Sequence, residues 1–183
     1  MKLSHLTAWT LLALGSFACA SAGTRIVTQE VVRVPTAEHI GLQNASGDWV
    51  GTVAWVMPDG TEQESTCTET VVAHGPFWTK SEFRMDMGPG GIYMGHGCQG
   101  YDPGTGKYMS TWIDSMSSYV ALMVGRMVGR MDDAGNLVTT WDAPSEEGIM
   151  QANHSVTERT QDSYKMTFYT ENERSMEINM TRK

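Results

Sequence analysis

From Gly47 onward, apolar and polar residues alternate along much of the chain with a period of two. Phe77, Thr79, Ser81, Phe83 and Met85 fall on one side of such a stretch, and Trp78, Lys80, Glu82, Arg84 and Asp86 on the other. Near the C-terminus Met176, Ile178 and Met180 alternate with Glu177, Asn179 and Thr181. Successive side chains of a strand point to opposite faces, so the pattern predicts strands with one buried face. Turn residues interrupt it at Pro58-Asp59-Gly60, Gly88-Pro89-Gly90-Gly91, Pro103-Gly104-Thr105-Gly106, Asp132-Asp133-Ala134-Gly135-Asn136, Gln161-Asp162 and Glu171-Asn172-Glu173. These signals cut the region into about nine or ten strands. Connections this short join antiparallel neighbours, which makes the expected topology a meander. An open meander exposes two edges, and closing it into a barrel removes both. The expected fold class is therefore all-β: an antiparallel meander closed into a barrel, with a short N-terminal helix.

That helix is predicted after Pro35. Thr36 suits an N-cap and Glu38 suits the positive end of the dipole. Ile40 and Leu42 are expected to face a core, and Asn44 and Gly47 end the segment. Upstream, Lys2 precedes an apolar run from Leu6 to Leu14 and then small residues, Gly15 to Ala22. This reads as a secretory signal, too short for a persistent spanning helix. Two readings of its end stand side by side. One is plain cleavage at Ala18-Cys19-Ala20 or Ala20-Ser21-Ala22. The other is lipidation at Cys19, although Phe17 is a poor fit to a lipobox. The expected organisation is residues 1–22 signal peptide, 23–34 leader or tether, and 35–183 barrel domain. The expected location is exported, in the periplasm or secreted, or held at the outer membrane as a lipoprotein.

Charge narrows the partners. The chain of 183 residues carries a net charge of −8, and removal of residues 1–22 takes it to about −9. Phosphates repel such a domain and no basic stripe is present, so no nucleic-acid partner is expected. Membrane contact is expected only through a lipid at Cys19. Two cysteines lie beyond the signal, Cys67 and Cys98. The meander puts them in the second and fourth strands, roughly 9.5 Å apart. A disulfide needs Cα atoms within about 7 Å, so they are expected to stay unbridged.

Two details are similar to lipocalin and fatty-acid-binding barrels. Gly47-Asp48-Trp49 opens the first strand as Gly-x-Trp does there. Arg182 ends the last strand, where those barrels place an Arg across that Trp. Such a contact contributes on the order of 0.5–2 kcal/mol and ties the first strand to the last. Gly47, Trp49 and Arg182 are thus structural candidates. More closely, the chain resembles the uncharacterised bacterial family catalogued as domain of unknown function 1579. The resemblance rests on "PTAEHIGLQNASGDWVG", with Glu38-His39, Leu42 and Gly47-x-Trp49-x-Gly51. It continues with Thr68-Glu69-Thr70, "GYDPGTGKYMSTWIDSM" and the closing "MEINMTRK". It covers residues 35 to 183, and "STWIDSM" is its most specific part. It implies a lipocalin-like barrel and no established activity. One departure is Gly125-Arg126-Met127-Val128-Gly129-Arg130, more basic than the family leads one to expect at that strand.

Candidate chemistry is sparse. Tyr108, Ser110, Trp112, Asp114 and Met116 share one face of the strand after the Pro103–Gly106 turn. Trp112 with Asp114 suits an apolar cavity wall with a polar anchor. It equally suits a core indole with an acid capping the strand end. The chain holds fourteen methionines. Met85, Met87, Met94, Met123, Met127 and Met131 sit at alternate or near-alternate positions. Such residues line adaptable cavities, fill cores, or bind Cu(I). His39, His74, His96 and His154 lack the close pairing of a zinc site. His96, flanked by Met94 and Cys98, is the best single candidate for metal or haem ligation. The acid pairs near turns, Glu62 with Glu64, Asp132 with Asp133 and Glu146 with Glu147, read as solvated charge. No catalytic triad, phosphate loop or cofactor fingerprint is found. The expectation is a protein that is not an enzyme, has no cofactor or resident metal, and binds or carries a small apolar or amphipathic molecule. The rivals are a metal- or haem-binding envelope protein, a structural module with a filled barrel, and a hydrolase or isomerase, for which the sequence carries no motif. The expected ligand contacts are Phe83, Met94, Trp112 and Met123 as wall, and Arg84, His96 and Asp114 as polar groups. Arg84 is out of phase with Phe83, so at most one of the two can face inward.

Overall fold

The computed structural model describes residues 34–57, 59–116, 127–144 and 148–183. The expected signal peptide, the expected leader up to residue 33, Cys19 and Met123 lie outside the described residues. The elements are α1 (Ala37–Gln43), β1 (Gly47–Val56), β2 (Glu62–His74), β3 (Trp78–Asp86), β4 (Ile92–Asp102), β5 (Lys107–Asp114), β6 (Met127–Met131), β7 (Leu137–Pro144), β8 (Met150–Arg159), β9 (Ser163–Thr170) and β10 (Glu173–Arg182). A single 3₁₀ turn, Gly88–Gly90, bridges β3 and β4. Every strand pairs antiparallel with its sequence neighbours, and β1 pairs with β10, so the ten strands form a closed barrel. All six turn signals fall on connections between consecutive strands.

The turns show why aspartate marks them. Asp59, Asp102 and Asp132 each accept a backbone N–H two residues on, from Thr61, Gly104 and Ala134, at 2.9 Å. Such a bond closes the turn locally and tolerates the backbone bend. The Asp59 and Asp132 carboxyls are held below their usual range, Asp59 first by the Thr61 hydroxyl and Asp132 first by the Asn136 amide. Asp132 is therefore a turn-forming group rather than only solvated charge. Glu62 likewise has a partner, Arg174.

Helix α1 has a fixed anchor. His39 is buried; its Nδ1 accepts the Thr36 N–H at 3.1 Å and its Nε2 lies 3.0 Å from the Tyr101 carbonyl oxygen. This requires the proton on Nε2, and it stitches the helix start to the end of β4. The ring also meets Phe77 and Tyr101 edge to face. Leu42 is buried as expected. Ile40 is not: it is 55% exposed. The helix has only seven residues and rests one narrow face, carrying His39 and Leu42, on the barrel.

The expected seam is present. Trp49 is 1% exposed, and the Arg182 guanidinium lies 4.3 Å from its ring centroid. Arg182 also donates to the carbonyls of Ser46 at 2.6 Å, Asn44 at 2.8 Å and Gln161 at 3.2 Å. Gly47 makes room. Its φ is +145°, and a Cβ there would lie 2.5 Å from Arg182 Nη1. Around Trp49 pack Tyr164, Val53, Ile178 and Met180, the densest part of the core. Cys67 faces this core, donating its thiol toward Met180 Sδ at 3.3 Å, and both Cys67 and Cys98 are free.

Removing the seam has a measurable cost. Arg182→Met is expected to lower stability by about 2 kcal/mol, from lost charge-assisted bonds and the indole contact. Gly47→Ala is expected to cost about 1–3 kcal/mol through a strained φ. Urea midpoints check both; unchanged values would mean the seam adds nothing to stability.

Candidate ligand cavity

Between the walls lies a cavity of about 410 Å³. That is within the roughly 300–1,000 Å³ typical of small-molecule sites. Its lining is mostly apolar. One side, from β1, β9 and β10, carries Trp55, Met166, Phe168, Met176 and Ile178. The rest of the lining, from β3, β4, β5, β7 and β8, is richer in hydroxyl and amide groups: Ser81, Gln99, Ser110, Thr139, Ser155 and Thr157. A strand alternates its side chains, so each of these follows from the phase of its own strand.

Trp112 forms a broad panel of this wall. Its indole lies flat along β4, over Gly95 and Gly97. A Cβ at Gly97 would stand 3.1 Å from the ring, and one at Gly95 would overlap it. Two glycines, two residues apart, thus make a seat that no larger residue could. The Trp112 Nε1–H donates to the Tyr93 hydroxyl at 3.1 Å, and that hydroxyl bonds the Asp114 carboxylate in turn. Phe83 meets both rings edge to face. Burial pushes the Tyr93 phenol pKa up, so it stays a neutral relay between indole and carboxylate.

The residues expected to contact a ligand divide accordingly. Phe83 and Trp112 line the cavity. Asp114 is not a lining residue: at the end of β5, in phase with Trp112, it also accepts the Met116 N–H at 2.9 Å and so caps the strand end. Arg84, Met94 and His96 require correction. Arg84 lies on the outer face, paired with Glu82 at 2.6 Å. Its neighbours Phe83 and Met85 take the inner positions of β3. Met94, 40% exposed, and His96 also face outward. On β4 the inner positions fall to Tyr93, Gly95, Gly97, Gln99 and Tyr101, because the indole of Trp112 fills the space that side chains at 95 and 97 would need. The outer face therefore keeps the more hydrophobic-looking set. Among the described residues no group of three or more His, Cys, Asp or Glu comes together in a form that could hold a metal ion.

Among the lining residues that were not anticipated are Glu69, Arg159 and Tyr164. The Tyr164 hydroxyl donates to Glu69 Oε2 at 2.6 Å. The Arg159 guanidinium lies 5.0 Å from the Tyr164 ring centroid and 5.8 Å from that of Trp49. Burial pushes the Tyr164 phenol pKa up, and the Glu69 charge adds to the effect. A signal was available: Arg159 is in phase with Ser155 and Thr157, and Glu69 with Cys67 and Val71. Glu69 stands in the middle of β2 and Arg159 is the last residue of β8, so an inward phase is what the two charges share.

Residues 34–183 match the model of a family described as a protein of unknown function, DUF1579, and the chain belongs to that family. No curated protein matches the chain.

Two outcomes follow from this geometry. Gly97→Ala is expected to lift the Trp112 indole from its seat at a cost of about 1–3 kcal/mol, with a change in tryptophan emission that Trp112→Phe abolishes. Emission and stability both unchanged would show that the seat is not tight. The second outcome concerns alkali. Burial pushes the Cys67 thiol up from 9.0 to about 12. The unfolded chain releases this proton near pH 9, while the folded chain holds it. The stability it confers is intact below pH 9 and lost as pH rises toward 12. Tyr93 and Tyr164 act in the same direction. Urea midpoints should fall across this window, less steeply in Cys67→Ala; an equal slope would exclude Cys67 as a contributor.

Proposed function

We propose that the barrel binds or carries a small apolar or amphipathic molecule, without chemistry, in the cell envelope. The observation that carries this reading is the mainly apolar cavity of about 410 Å³ inside a closed wall. A barrel serving only as a structural module would fill that space with its own side chains, as interiors are packed to crystal-like density. Here large residues stand back from the centre. Trp112 is laid flat on glycines rather than pointed inward. Transfer of a ligand's apolar surface from water then supplies about 25 cal/mol per Å². The small hydroxyls of Ser110, Thr139 and Ser155 add polar contacts on one side.

The proposal includes export, by signal cleavage or by lipidation at Cys19, which places the ligand among envelope lipids and metabolites. It includes no nucleic-acid partner, in keeping with the acidic net charge. A metal or haem reading centred on His96 and Met94 draws no support from their outward placement.

Native mass spectrometry of protein purified without detergent tests the proposal, with the denatured mass as reference. The expected result is a mass excess of lipid or metabolite size that disappears on denaturation. Absence of any excess, together with failure of apolar probes to bind, would overturn it.

A further inference from the structure

Among the described lining residues of the cavity, Glu69 is the one acid and Arg159 the one base. They do not form an ion pair: among the described residues, no carboxylate lies within salt-bridge distance of the Arg159 guanidinium, and no hydrogen bond reaches it. Glu69 is instead held by the Tyr164 hydroxyl. Arg159 touches protein chiefly through its flat face, over Tyr164 and Trp49. Its five N–H donors have no protein acceptor among the described residues, and the residue lines the cavity. The side chain is exposed at the end of β8, and desolvation by the protein packed against it lowers its pKa. With no protein acceptor competing for it among the described residues, the guanidinium can meet an incoming anion with a bidentate fit.

We propose that Arg159 is the anion receptor of this cavity, and that the natural ligand is an amphiphile with a monoanionic head, such as a carboxylate, and an apolar tail. The proposal rests on the cavity-binding reading above and names its ligand class. On β8, Ser155, Thr157 and Arg159 occupy successive inward positions, a polar rail ending in the guanidinium. Beside it, on the next strands round the barrel, Phe168 of β9, Met176 of β10 and Trp55 of β1 offer the tail an apolar wall. The neighbouring Glu69 charge sets the head at one negative charge: a dianionic head would meet repulsion that a single guanidinium does not offset.

The test compares laurate, dodecanol and dodecyl phosphate by isothermal titration of the purified protein, freed of co-purifying lipid on a hydrophobic resin. Laurate is expected to bind at least about tenfold more tightly than dodecanol, with a tail of equal length. Dodecyl phosphate, as the dianion, should bind more weakly than laurate. Arg159→Met should reduce laurate to the affinity of dodecanol while dodecanol itself is little changed. Arg159→Lys, which keeps the charge, provides a second variant should the first fold poorly; it should retain part of the preference. Equal affinity for laurate and dodecanol in the unaltered protein would overturn the anion role and leave the apolar cavity standing. Binding of none of the three would remove both readings.

Discussion

Backbone N–H and C=O groups along the edge of a sheet must find partners, and a meander leaves two such edges, at its first strand and its last. Here β1 and β10 satisfy each other over a register running from Trp49 opposite Arg182 to Trp55 opposite Met176. The side chains at the first of these pairs hold the join. Arg182 covers the indole of Trp49 and at the same time binds the carbonyls that leave α1. One guanidinium thus gathers the helix end, the first strand and the last. Gly47 is the residue whose missing side chain allows it.

Closure by backbone pairing frees the interior from having to be filled. An open sheet depends on a packed layer over its face; a closed one draws much of its order from the ladder around it. The buried cluster accordingly covers one part of the wall, from Tyr164 on β9 through Ile178, Met180, Trp49 and Val53 at the seam to Cys67, Val71, Phe83 and Met85 on β2 and β3. Elsewhere the inward positions carry small hydroxyls, glycines and aromatic panels set along the wall. The same arrangement lets the protein keep a guanidinium and a carboxylate inside the barrel without pairing them.

Alternation made the fold legible. β3 and β10 have an apolar phase and a charged phase, and the barrel buries the apolar one, as with Phe83 and Met85 against Lys80 and Arg84. The aspartates and glycines that punctuate the chain mark real turns. β4 was misleading for a physical reason. Its inward phase contains Gly95 and Gly97, which look like weak strand positions, because their volume is supplied from the next strand by Trp112. A cross-strand exchange of bulk of this kind leaves no trace in the pattern of a single strand. Glu69 and Arg159 were hidden differently: their phase was readable, but a charge on an inward phase contradicts the usual rule, and only the enclosed space explains it.

The seam also sets a condition on how the molecule comes into being. The pair Trp49 and Arg182 joins the two ends of the barrel sequence, so the closing contact is about as non-local as the domain permits. Neighbouring hairpins can form early and nearly independently, but each leaves an unpaired rim until β10 has emerged from the ribosome. A nascent chain holding β1 to β9 is a ribbon with two adhesive borders and an unshielded apolar face. Its biogenesis therefore contains an interval, ended only by the last strand, in which a chaperone has something definite to hold.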